Sequence, residues 1–243
     1  MYTISIIIPT YNHAELLHAR LFEIYRNVFK AYPLELILID DCSSFRDVAG
    51  ISAFWQKNHR YNVRYSRNKE NRGFGWSMNK GAELARGDVL MFLSNDVVVS
   101  GDFVEPVIAE IEKNERSLIG ARMIDWSAGW NEVEYLGKPM IVPYLEGWFL
   151  ACTRSVWKEL GGFDLRYGKY DYEDVDLSTT AHLLGINLVA LPNLPLRHIG
   201  AQTIKFENRM VHTQHNRQLW LEKWQDHWDE FFKEVYDIIM LPE

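Results

Sequence analysis

Three stretches of the chain place carboxylates where they could act on a phosphorylated or hydroxylated substrate. The first is Ser94-Asn95-Asp96, which interrupts the apolar run Val89–Val99. Such a run, at strand length, reads as a strand buried on both faces. A charge placed against it is costly unless paired, and the carboxyl ends of parallel strands are where open α/β sheets bind ligands. Asp96 therefore reads as a ligand to a hard metal ion; the plainer alternative is an Asn-Asp turn between two short strands. The second stretch is Asp40-Asp41, after the apolar Leu34–Ile39. Asp41 suits a hydrogen bond from a nucleobase imino group, with Thr10 and Tyr11 flanking the base. Either aspartate suits a helix cap equally well. The third is Tyr172-Glu173-Asp174-Val175-Asp176, whose acidic residues favour a helix start. Successive helical positions diverge, so one of Glu173 and Asp174 suits a general base and the other an orienting group, with capping again the plain alternative. His198, closing a short apolar segment, would complete a mixed oxygen and nitrogen site with Asp96, filled out by diphosphate oxygens and water. Mg²⁺ and Mn²⁺ both suit such a set, and the imidazole tilts the choice to Mn²⁺.

The elements that must position these residues follow from periodicity. Thr3–Ile8 reads as a buried strand, and Asn12 as the cap of a helix with Leu17, Leu21, Ile24, Tyr25 and Val28 on one side. Strand 34–39, helix 45–57, strand 62–65, a glycine-punctuated loop 67–75, helix 76–85 and the strand at Val89 follow. Alternating strands and helices predict an α/β fold with a doubly wound, mostly parallel, Rossmann-like sheet flanked by helices. Right-handed crossovers then bring Thr10, Asp40, Asp41, Asn95 and Asp96 to one sheet edge. The second half gives helix 103–113, strand 117–123, an aromatic loop or hairpin at 126–143 and strand 147–153. A short helix ending at Gly161-Gly162, a helix opening near Glu173 and strands ending at Leu191 and His198 complete it. A closing helix, 213–239, carries Trp220, Trp224, Trp228, Phe231 and Val235 on one stripe. Core packing or a homodimer contact is favoured for it over a membrane interface, because its polar face carries Glu222, Asp226, Asp229, Glu230 and Glu234 against Lys223 and Lys233.

Composition narrows the classes. The 243 residues are 47% hydrophobic and 24% charged, enough for a large core. A net charge of -7 argues against a nucleic-acid binder. Two cysteines, Cys42 and Cys152, are too few for a disulfide framework. No apolar run approaches the roughly 20 residues of a membrane span, and Met1–Ile4 shows no leader pattern. A cytoplasmic protein is expected, with peripheral contact to the inner face of a membrane as the variant. A nucleotidyltransferase would carry a basic, glycine-rich loop where this chain has Pro9-Thr10-Tyr11-Asn12. A catalytically inactive carbohydrate-binding scaffold is the competing reading from a different class.

Taken in order, I-I-I-P-T-Y-N (6–12), L-I-L-I-D-D-C-S (36–43), N-R-G-F-G-W-S-M-N-K-G (71–81), F-L-S-N-D (92–96), G-G-F-D (161–164), Y-E-D-V-D-L (172–177) and H-I-G (198–200) resemble the family 2 glycosyltransferases of the GT-A fold. The resemblance spans about residues 4 to 200. It implies a catalytic domain over 1–212, with a nucleotide-binding half (1–100) and an acceptor half (101–212), followed by a helical extension (213–243). It also implies an inverting transfer from a nucleotide sugar, UDP-sugar favoured and dTDP-rhamnose the variant, to a glycan or glycolipid hydroxyl, with Mn²⁺ or Mg²⁺. Carried over by position, Pro9, Thr10, Tyr11, Asn12, Asp40, Asp41, Asn71, Gly73 and Asn79 fall on the donor side, with Asn95 near the ribose. Ser94 stands where the family's D-x-D element has its first acid, leaving Asp96 and His198 for the metal. Asp174 matches the catalytic base and Glu173 an acceptor-binding group. Trp148 falls on the acceptor side, where it would stack on a sugar.

Overall fold

The computed structural model describes residues 1–28, 31–44, 47–57, 61–121, 140–141, 144–200 and 206–227. Four parallel strands form its first half: β1 (Ile4–Thr10), β2 (Leu34–Asp40), β3 (Asn62–Arg67) and β4 (Val89–Leu93). Helices α1 (Ala14–Asn27), α2 (Asp47–Gln56) and α3 (Phe74–Leu84) connect them. After β4 come β5 (Val97–Val99), α4 (Val104–Lys113), β6 (Ser117–Gly120), β7 (Met140–Ile141), β8 (Phe149–Thr153) and α5 (Arg154–Leu160). The chain continues through α6 (Glu173–Leu183), β9 (Asn187–Ala190), β10 (Leu196–His198) and α7 (Phe206–Trp224). The main sheet runs β3-β2-β1-β4-β8-β6-β9-β7, and β5 and β10 form a separate antiparallel pair. One sheet thus crosses both expected halves, because β8 lies antiparallel between β4 and β6.

Every residue of β1 and β4 is buried, as a sheet covered on both faces requires. The period of two then sorts side chains into two cores. Ile7, Ile37, Leu90 and Phe92 face Trp157, Phe163 and Trp220 on one side. Ile6, Ile8, Leu36 and Met91 face Leu17, Leu21, Phe103 and Phe149 on the other. Parallel pairing sets Thr10 opposite Asp40 and Asp40 opposite Arg67, so the polar strand ends converge on one edge.

Local details depart from the sequence reading. Residue 13, not Asn12, occupies the cap position of α1, and its side chain makes no capping bond. Asn12 instead accepts at Oδ1 from the Ser44 amide, because tying two loops together leaves it no reach to the helix. Helix α3 begins at Phe74 rather than Trp76. The region 126–143 lies outside the described residues apart from Met140–Ile141. Helix α7 starts at Phe206, seven positions before the expected start, and gives way after Trp224 to a 3-10 turn at Gln225–His227. Trp228, Phe231 and Val235 lie outside the described residues. Among those described, no helix is long and apolar enough to cross a membrane.

Helix α7 packs on the domain through Asn216, Trp220 and Trp224, all buried and spaced four apart on one face. Trp220 donates its indole N–H to Thr179 Oγ1 at 3.1 Å. Trp220→Ala is expected to cost about 3–5 kcal/mol of stability, read by denaturant unfolding. A loss under about 1 kcal/mol would show that the helix is not part of the core.

Candidate active site

The loops after the strands of the first half are tied together at one sheet edge. Asn12 donates its backbone N–H to Ser43 Oγ at 2.8 Å. Thr10 Oγ1 accepts from Asn95 Nδ2 at 3.1 Å, which joins the ends of β1 and β4. Pro9 is buried within β1 and Tyr11 is half-buried beyond it. Asn12, His13 and Cys42 all hold positive φ, a conformation that costs about 1–3 kcal/mol per non-glycine residue and clusters at ligand sites. These cross-loop bonds hold it in place.

The two aspartates at the end of β2 do different things. Asp40 is fully buried and accepts from the Ser43 amide at 2.8 Å, the Tyr65 hydroxyl at 2.8 Å and Arg67 at 2.5 Å. Burial and the Asp40 charge push the Tyr65 phenol up to about 12. Asp40 therefore serves as an internal strut between β2, β3 and the loop after β2. Asp41 accepts from Asn68 Nδ2 at 2.7 Å and from the amides of Arg72 and Gly73 at 2.9 and 2.7 Å. It clamps the 67–75 loop, and a carboxylate with about four acceptor sites keeps room for one further donor. Gly73 sits at φ 90, where a Cβ would lie 2.6 Å from Lys169 Cα. Asn71 lines a cleft of about 320 Å³ with Glu70, Arg72, Trp76 and Leu165. Asn79 is tied to the second half of the chain: its amide donates to Phe163 O at 2.8 Å and accepts from Phe163 N at 2.9 Å. Both its groups hold the Gly161–Asp164 turn.

At the end of β4, Asp96 is 7% exposed and accepts from Ser94 Oγ at 2.6 Å. His198 Nε2 lies 3.3 Å from the same Oδ1. The small β5–β10 pair makes this meeting, since Val97 stands opposite His198 and the Ile199 amide donates to Asp96 O at 3.0 Å. Helix α1 holds β5 in turn: Arg20 donates to Val97 O at 2.5 Å, and Glu23 accepts from the Val99 amide at 2.7 Å. Burial raises the Asp96 carboxyl, but the bonds from His198 and Ser94 outweigh it and hold it below its ordinary value. Among the described residues, no cluster of three or more His, Cys, Asp or Glu side chains could hold a metal ion.

Trp148 connects this pair to the acidic motif. Its ring stacks on His198 with centroids 5.3 Å apart and planes 13° off parallel, and its carbonyl accepts from the Ser94 amide at 2.9 Å. The preceding residue, Gly147, donates its N–H to Asp174 Oδ2 at 2.8 Å. A Cβ on Gly147 would come within 3.2 Å of that oxygen. Tyr144 donates its hydroxyl to Asp174 Oδ2 at 2.9 Å. Burial pushes the Asp174 carboxyl up; the Gly147 and Tyr144 bonds act against it, and the Asp171 charge reinforces it. Glu173, on the same first turn of α6, is half-buried. Asp176 points elsewhere, accepting from Tyr167, Trp224 and Lys223.

Sequence reasoning missed Tyr144, since a lone tyrosine beside an irregular aromatic stretch carries no periodic signal. It also missed Tyr170, whose phenol is raised first by burial and then by nearby Tyr11 and Asp41.

Three similarities bear on this arrangement. The inactive polypeptide N-acetylgalactosaminyltransferase-like protein 5 of Mus musculus is 28% identical over 220 residues, covering 78% of this chain and 51% of that protein. Polypeptide N-acetylgalactosaminyltransferase 11 of Xenopus tropicalis is 25% identical, covering 94% of this chain and 44% of that protein. The crystal structure of GalNAc-T7 with UDP, GalNAc and Mn²⁺ superposes with a TM-score of 0.79 at 22% identity, over 96% of this chain and 50% of that one. This chain thus spans about half the length of these relatives, and its fold is the GT-A fold. The model of glycosyl transferase family 2 matches residues 5–180, and the chain belongs to that family.

Proposed function

We propose that the protein is a metal-dependent inverting glycosyltransferase that moves a sugar from a nucleotide diphosphate to a glycan hydroxyl. One observation supports the reading: a continuous series of contacts, Asp96–His198–Trp148–Gly147–Asp174, links a carboxylate–imidazole pair to a carboxylate whose pKa is raised by burial. The carboxylate and the imidazole fit Mn²⁺ or Mg²⁺, and two protein ligands leave positions for diphosphate oxygens. When bound, the ion supplies Lewis-acid stabilisation of the departing diphosphate.

The chain's residues would do the rest. Thr10, Tyr11 and the remaining acceptor site of Asp41 hold the base, with Asn95 beside the ribose. Ser94 orients Asp96, and His198 stands beside it as the second ligand. Asp174 takes the proton of the acceptor hydroxyl as that oxygen forms its bond to the anomeric carbon. The bond from that carbon to the diphosphate breaks with its electron pair leaving on phosphate oxygen, so a single displacement inverts the centre. A base whose pKa is raised toward the working pH is the more effective one. Glu173 and Trp148 face the acceptor side. A UDP-sugar is the favoured donor, in line with the UDP bound to GalNAc-T7.

The test is release of UDP from UDP-N-acetylhexosamines and UDP-glucose, with Mn²⁺ and with EDTA. Turnover with metal only is the expected result. No turnover together with no nucleotide binding would favour the inactive-scaffold reading, which the name of the mouse relative keeps in view.

A further inference from the structure

We propose that α7, which lies beyond the family match at 5–180, belongs to the catalytic apparatus, with Asn216 as a positioning residue that fixes the turn presenting Asp174. The inference rests on the reading of Asp174 as the base. Immediately before α6 the backbone passes through Gly168, Asp171 and Tyr172 at φ 70, 60 and 75. Two consecutive non-glycine residues in the left-handed region persist only where their surroundings over-determine them. Asn216 supplies that: it is 2% exposed, and its Nδ2 lies 2.7 Å from Tyr167 O, 2.5 Å from Tyr170 O and 2.9 Å from Asp171 O. Two amide hydrogens thus serve three carbonyls of one turn. One helical turn earlier, Thr213 Oγ1 donates to Asp171 Oδ2 at 2.5 Å. The Tyr172 and Trp220 rings lie 6.4 Å apart. Lys223 bridges Asp164 and Asp176 at 2.9 and 2.7 Å, which ties both ends of the turn to the same helix.

The clamp reaches the reacting carboxyl through one link. Asp171, held by Thr213 and carrying a carbonyl bonded to Asn216, is one of the charges acting on Asp174. Tyr144 faces the same carboxyl, with Glu173 beside it on the helix and Glu146 near the tyrosine. Releasing the turn admits water to Asp174 and lets its raised carboxyl relax downward.

The experiment follows the Asp174 carboxyl carbon by ¹³C NMR titration, assigned by its loss in Asp174→Asn, together with amide hydrogen exchange. Asn216→Ala is expected to move the Asp174 midpoint down and to speed exchange over 168–174 about tenfold or more, with the amides of β1 to β4 unchanged. Thr179→Val removes a different α7–α6 bond, the one to Trp220, and is expected to do neither. An unmoved midpoint, or exchange that rises equally across the sheet, would overturn the proposal. If Asn216→Ala fails to fold, Thr213→Val makes the same test on the bond to Asp171. If Asp174→Asn keeps full transfer activity, the base reading fails while the exchange result still decides whether the clamp exists.

Discussion

Asp174→Asn is expected to lower sugar transfer by about 10²–10⁴-fold, the range that a positioned general base supplies, while leaving metal-dependent nucleotide affinity within about twofold. The split follows from the geometry. Asp174 is held by Tyr144 and Gly147, and its only path to the Asp96–His198 pair runs through Trp148 among the contacts described. Asparagine keeps an acceptor oxygen for the Tyr144 and Gly147 donors and gives up only the adjacent-residue bond from the Val175 amide to Oδ1, so the local structure should hold. Stability should not fall at neutral pH. Burial raises the carboxyl in the folded state. Such a group contributes most below its unfolded pKa, and that contribution is lost as pH rises through the folded value. At neutral pH the ionised carboxylate is therefore a cost that asparagine removes, as is common where a site trades stability for function. Thermal melts at pH 7 and donor-binding titrations check both parts. An equal loss of donor affinity would remove Asp174 from the role of base.

The second large effect is expected at Asp96. Asp96→Ala should weaken Mn²⁺-dependent nucleotide binding on the order of 100-fold or more, since even outer-sphere partners of metal ligands change affinity by 10–100-fold. His198 would remain held by Trp148, so the loss would report the missing carboxylate and not a collapsed site. Ser94 sharpens the expectation. The family resemblance puts it in place of a first acid, and its hydroxyl donates to Asp96 Oδ1. It acts on the remaining acid as an orienting donor, so in the proposed reading Asp96 would be the one carboxylate of the S-N-D element to ligate the ion. Unchanged Mn²⁺ dependence in Asp96→Ala would refute this.

Much of the first half of the fold is legible in the sequence because its signals are local. Apolar runs such as Ile4–Ile8 and Val89–Leu93 announce buried parallel strands, and their polar ends must share an edge once the crossovers are right-handed. The meeting of Asp96 with His198 is likewise legible, as the ends of two strands. Bonds between distant residues leave no such mark. Nothing near Asn79 indicates that both ends of its amide are taken by Phe163, and nothing near Asp40 announces Tyr65 and Arg67. Helix α7 begins before the position that hydrophobic spacing indicates, for a related reason. Its inward face includes the polar Asn216 and Lys223, so hydrophobic spacing alone picks out only the tryptophans.

The most direct measurement is calorimetric titration of the wild-type protein with UDP, GDP and dTDP, each with Mn²⁺ and with EDTA. The Asp96–His198 site predicts tight binding of one nucleotide, UDP in the favoured reading, that is lost when the metal is chelated. Binding of equal strength in EDTA would contradict it, moving the diphosphate from the metal to cationic side chains.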